Sequence, residues 1–171
     1  MSLTLPWVLA QCVAVLIIIL MAIGAHAKTQ NSFLSFQVII NSLYIPHYVL
    51  LFADTAVATS IICVIRTVIF YLYQKNGKDV PMWLLSVIFI VVVGAGMIVW
   101  EAWYSVFPIL ATIIYTYGQW QHDVRTSRKT VIAGDLNWVV YNMFCFGYVS
   151  LVGKFVEIIS CSIALRKSVK E

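Results

Sequence analysis

The sequence predicts an all-α membrane protein of seven transmembrane helices, with two parallel three-helix bundles joined by a linker helix. Three observations predict it: the composition, the placement of basic residues and an internal repeat. Of the 171 residues, 62% are hydrophobic and 11% charged, and the mean hydropathy is +0.93. Soluble domains carry roughly 45–50% apolar and about 25% charged residues. A spanning helix takes about 20 apolar residues, so seven of them use nearly the whole chain and leave no room for a soluble domain.

The first apolar segment is expected at 6–25. It ends in Ala25-His26-Ala27, the small-x-small pattern of a leader cleavage site, but no positive charge precedes it and the run is long for a leader. The next spans are expected at 33–52 and 56–73, separated by Ala53-Asp54-Thr55, and the fourth at 81–99 after Lys75-Asn-Gly-Lys-Asp79. The last three fall at 104–120, 130–146 and 151–165, divided by the polar run from Gln121 to Lys129 and by Gly147-Tyr-Val-Ser150. Pro46 is expected to kink the second helix.

Basic residues fix the orientation. Lys28, Lys75, Lys78, Arg125, Arg128, Lys129, Arg166, Lys167 and Lys170 all fall on one side of the alternating spans, and none outside a span falls on the other. Cytoplasmic loops keep such an excess, which places the N-terminus outside and the C-terminus in the cytoplasm. An odd number of spans is what makes this alternation work. Trp7, Trp100, Trp103 and Tyr104 then form an outer aromatic belt, and Tyr71, Tyr73, Trp83, Tyr117 and Trp120 an inner one. A net charge of +4 reflects this bias and not a nucleic-acid surface.

The repeat has an offset of 94 positions. Gly24 meets Gly118, Phe52 meets Phe146 and Ile69 meets Ile163. In the second helix of each half Asn41, Tyr44 and Tyr48 overlay Asp135, Trp138 and Asn142, three and four residues apart, so each set lines one helix face. In the third helix Ser60, Cys63 and Thr67 overlay Lys154, Glu157 and Cys161. The fourth helix has no counterpart, and inserting it makes the halves parallel. The resulting division is 1–75, a linker at 76–102, and 103–171 with a basic tail. Gly94-Ala95-Gly96 in the linker reads as a small-residue packing surface.

An ionisable side chain at the bilayer centre costs about 2.5–3.5 kcal/mol and is by default a functional candidate. Arg66 and Glu157 both fall deep inside apolar helices and are expected to meet, directly or through water, across a central cavity. The alternative is a structural ion pair that locks the bundles together. Asn41, Tyr44, Tyr48, Trp138, Tyr141 and Asn142, with His47 and Cys63 beside them, are the candidate solute contacts; the bland reading of the polar ones is interhelical glue. His47 is expected to bond a neighbouring backbone group, Lys154 to snorkel to the outer interface, and Asp54 and Glu101 to be solvated loop charges. The four cysteines lie in apolar segments without metal or pairing motifs and read as small hydrophobes.

Paired three-helix units, a linking fourth helix and an outside N-terminus resemble the SWEET and PQ-loop transporters, whose halves are related by an axis along the membrane normal. More closely, the chain resembles the YgjV family of bacterial inner membrane proteins, through Trp7-Val-Leu-Ala-Gln11, Ile65-Arg66-Thr67, and Trp138-Val-Val-Tyr-Asn142 with Gly153, Glu157 and Arg166. That resemblance implies a fold and an inner-membrane location but no substrate. The wider group implies uniport of sugars or other small solutes; unlike its members, this chain has no Pro-Gln dipeptide. The expected function is a uniporter-like carrier of a small polar solute working by alternating access. The alternative is a receptor or accessory subunit on the same fold. No catalysis and no cofactor are implied. The expected partners are the solute and the lipid bilayer, with a homo-oligomer left open.

Overall fold

A computed structural model describes residues 5–50, 54–98, 100, 102–144 and 148–167. They form seven α-helices: α1 (Leu5–Gly24), α2 (Gln30–Leu50), α3 (Asp54–Lys75), α4 (Met82–Ile98), α5 (Val106–Trp120), α6 (Val124–Phe144) and α7 (Tyr148–Lys167), with a 3-10 turn at Trp103–Ser105 leading into α5. There is no strand among the described residues. The expectation for Glu101, and that for the side chain of Asp54, fall outside what is described.

Polarity is inverted relative to a soluble protein. Ile90, Ile98, Trp83 and Met82 stand among the most exposed side chains, while Arg66, Asp135, Glu157, Asn142, Thr116 and Gln119 are buried. Water would reverse that arrangement, because a buried charge costs several kcal/mol and an exposed apolar side chain gains nothing. Hydrocarbon favours it. α1 and α2 are by themselves long and apolar enough to cross a membrane, and α4 is a shorter apolar helix.

α1 packs on α2 and α2 on α3; α5 packs on α6 and α6 on α7. α1 also touches α7, α3 touches α5, and α2 touches α6, while α4 lies against α5. Six helices therefore follow one another around a ring in the order α1, α2, α3, α5, α6, α7, which puts α3 opposite α7. Two glycines mark matching close approaches. A Cβ on Gly24 would come within 2.9 Å of Phe36, and one on Gly118 within 1.7 Å of Thr130. Both pairs are separated by the same 94 positions, so the first and second helices of each half cross at equivalent points.

Local chemistry sets the helix ends. α3 stops in a Schellman motif: Gly77 has φ 63°, its N–H donates to the Gln74 carbonyl at 3.1 Å, and the Lys78 N–H donates to that of Tyr73 at 3.0 Å. α6 begins at Val124, six residues before the expected start at 130. Asp123 is the reason: its carboxylate accepts from the backbone N–H groups of Arg125 and Thr126 at 3.0 and 2.9 Å and from the Thr126 hydroxyl at 2.8 Å, capping the helix. The early start carries Arg128 into the helix, where it is buried and not a loop charge. Its guanidinium donates to the carbonyls of Ala25, at 2.8 Å, and Ala27, at the end of α1 where helix carbonyls lack partners. α2 runs unbroken through Pro46. In α4, Gly96 packs against Ile109, but a Cβ on Gly94 would meet nothing within 4 Å, so only one of the two linker glycines serves packing.

Candidate functional site

The ring of helices encloses a cavity of about 680 Å³ with walls from all seven helices, within the size range of small-molecule sites. Arg66, Glu157, Asn41, Asn142, Cys63 and His47 line it, as do the rings of Tyr44, Tyr48, Trp138 and Tyr141. The structure thus brings together every candidate that sequence reasoning named. Several occupy equivalent positions in the two halves: Tyr44 and Trp138, His47 and Tyr141, Tyr48 and Asn142, Cys63 and Glu157 each lie 94 apart.

The direct Arg66–Glu157 contact is not formed. Glu157 instead accepts from Lys154 at 2.9 Å, three residues back on the same helix face. Lys154 also reaches Asp135 on α6 at 2.8 Å. Lys154 therefore does not snorkel outward; two buried carboxylates hold its ammonium inside. Asp135 is fully buried, accepts a 2.5 Å bond from the Tyr115 hydroxyl, and keeps Oδ2 without a partner. The Lys154 ammonium also sits 5.8 Å from the centre of the Tyr115 ring, within cation–π range.

Arg66 has different company. Its Nη1 donates to the Thr116 hydroxyl at 3.0 Å and lies 3.5 Å from the Thr112 carbonyl. Its Nε is buried without a partner. Nearby, the Asn41 amide donates to the Thr67 hydroxyl at 3.2 Å, and Thr67 donates to the Cys63 carbonyl at 2.8 Å. A polar network thus joins α2 to α3, and Arg66 ties α3 to α5.

The aromatic candidates form two groups. Tyr44 and Tyr48 stack with ring centres 5.6 Å apart, with His47 edge-on to both. Trp138 and Tyr141 meet edge-to-face at 5.6 Å. As expected, His47 bonds backbone: its Nδ1 lies 3.0 Å from the Ala10 carbonyl on α1. The Asn142 amide donates to the Trp138 carbonyl one turn back at 2.8 Å.

The two ends of the ring are built differently. At the basic end the Gln30 amide donates to the Ser127 hydroxyl at 2.8 Å and to the Gln121 carbonyl at 2.9 Å, Trp120 donates to the Val80 carbonyl at 3.0 Å, and Arg128 clasps the end of α1. At the other end Trp103, Tyr104, Phe107 and Phe144 pack ring on ring. Polar bonds tie one end together, and apolar ring contacts line the other.

Sequence reasoning missed Asp135, Lys154 and Tyr115 as members of the site. The signal was available: Asp135 and Lys154 both stand within apolar helices, at positions that overlay the candidate Asn41 and Ser60, which shares a helix face with the candidate Cys63. Tyr115 carried none beyond its apolar surroundings.

Comparison with known proteins finds no matching curated protein and no matching solved structure. The Imp-YgjV family, described as bacterial inner membrane protein, matches residues 8–171. With that match over nearly its full length and an apolar exterior around a polar interior, the chain belongs to the Imp-YgjV family of bacterial inner membrane proteins.

Proposed function

We propose that the protein is a carrier that moves a small polar solute across the inner membrane by alternating access. In this reading 1–75 and 103–171 are parallel three-helix halves of a SWEET-like or PQ-loop-like fold, linked through 76–102. The N-terminus is outside, and the halves rock about the central cavity. The reading assigns no catalytic step.

The observation that carries it is the cavity itself. It places charged, amide and aromatic groups from both halves around one space large enough for a small solute, and a membrane helix does not bury such groups without use or partner. The helix contacts support the duplicated arrangement: α1 on α7 and α3 on α5 exchange under the offset, and α2 on α6 maps onto itself. The polar ties between the halves at the basic end, from Gln30 to Ser127 and from Arg128 to the end of α1, are suited to a gate there.

Uptake into proteoliposomes of purified protein, with and without a pH gradient, tests this. Saturable uptake of a small polar solute that is lost on closing the cavity with Cys63→Trp is the expected result. Binding of a solute without uptake under either condition would overturn the carrier reading.

A further inference from the structure

We infer that the cavity selects a zwitterionic solute, one whose carboxylate pairs with Arg66 on α3 and whose ammonium group pairs with Glu157 on α7, backed by Asp135. This rests on reading the cavity as a solute site and names the class of solute.

Charge bookkeeping around the cavity leads there. A guanidinium does not lose its proton in a protein, so Arg66 is a permanent cation, and it is 5% exposed. Among the described residues no carboxylate lies within ion-pair distance of it. Two neutral oxygens, the Thr116 hydroxyl and the Thr112 carbonyl, accept from its Nη1, and its Nε is an unused buried donor. Opposite it, Asp135 and Glu157 share the single ammonium of Lys154. That group carries one negative charge in excess when ionised, and Asp135 Oδ2 is an unused buried acceptor. The wall at α3 thus lacks an anion and the wall at α6 and α7 lacks a cation.

Each solute class has a different consequence. A neutral sugar leaves both charges uncompensated. An anion satisfies Arg66 but faces the acidic cluster, and a cation does the reverse. A molecule carrying both groups satisfies both at once, and bonds between ionised partners are the strong ones. The rings of Tyr44 and Trp138, which also line the cavity, add a surface that favours an ammonium group.

Binding to the purified full chain, followed by titration calorimetry, tests the inference. The probes are the twenty L-amino acids and glycine betaine, with propionate, ethylamine and glucose as single-charge and neutral counterparts. At least one zwitterion is expected to bind about tenfold or more tightly than all three counterparts. Arg66→Gln is expected to erase that preference and Arg66→Lys to restore part of it. If Arg66→Gln does not fold, the ranking of probes on the parent still decides. Glucose, propionate or ethylamine binding as tightly as any zwitterion, or no zwitterion binding at all, overturns the inference. Uptake of glucose without zwitterion binding would do so while leaving the carrier reading intact. Zwitterion binding without uptake would uphold this inference and remove the carrier.

Discussion

Breaking the contact between Asp135 and Lys154 probes the interior most sharply. Asp135 is fully buried and receives the Tyr115 hydroxyl and the Lys154 ammonium, the latter at 2.8 Å. Removing one member of a buried pair costs about 3–5 kcal/mol, because the other is left charged and unsatisfied. Asp135→Ala leaves Lys154 with Glu157, so a loss of about 3 kcal/mol, the lower end of that range, is expected. Lys154→Met strands two carboxylates at once and should cost about 4–5 kcal/mol. The double variant removes one charge of each sign and leaves Glu157 alone. Its loss should fall short of the sum of the singles by about 1.5–3 kcal/mol. Reversible denaturation in detergent, followed by tryptophan fluorescence, gives the three free energies. Strict additivity, or singles that match the parent, would show that Lys154 does not hold the two carboxylates together.

Other outcomes follow from the helix contacts. Gly118→Ala would place a methyl group 2.7 Å from the Cβ of Thr130, which rotation about χ1 does not relieve; a loss of about 1–3 kcal/mol is expected, whereas Gly94→Ala, facing open space, should leave the denaturation midpoint unchanged. Asp123→Ala removes the α6 cap and should cost about 1 kcal/mol, measurable in the same assay. Burial pushes the Asp123 carboxyl up slightly, but the bonds from Thr126 and from the backbone of Arg125 and Thr126 outweigh it and hold the group below the usual carboxylate range. The cap is therefore fully present above the ordinary carboxylate pKa and is lost as pH falls through the lowered folded value; Asp123→Asn should flatten that acid limb of the stability profile. Arg128→Met should loosen the basic end, seen as faster hydrogen exchange at Ala25 and Ala27.

Most of the helical layout was legible because lipid imposes a simple rule: apolar runs of span length, broken by charge and turn residues. Seven segments were read and seven helices are observed among the described residues. The main boundary error, at α6, arose because hydropathy marks where a helix becomes apolar, not where it begins; Asp123 caps it while it is still polar. The face shared by Tyr44, Tyr48, Trp138 and Asn142 was legible from helical spacing alone. Charge partners were not. Depth along a helix fixes how far a side chain sits from the interface but not the direction in which it reaches. Lys154 has a stem long enough to snorkel, and it turns inward because Asp135 and Glu157 offer more than the interface does.

The central claim is that water, not packed side chains or lipid, fills the space around Arg66 and Glu157. Thiol labelling tests it most directly, since the reactive thiolate forms in water and not in hydrocarbon. Cys63 lines the cavity, Cys161 is buried and Cys12 is exposed on the apolar exterior. In variants retaining one cysteine each, a small water-soluble methanethiosulfonate is expected to modify Cys63 and to leave Cys12 and Cys161 unmodified. Cys63 reacting no faster than the other two would contradict the account.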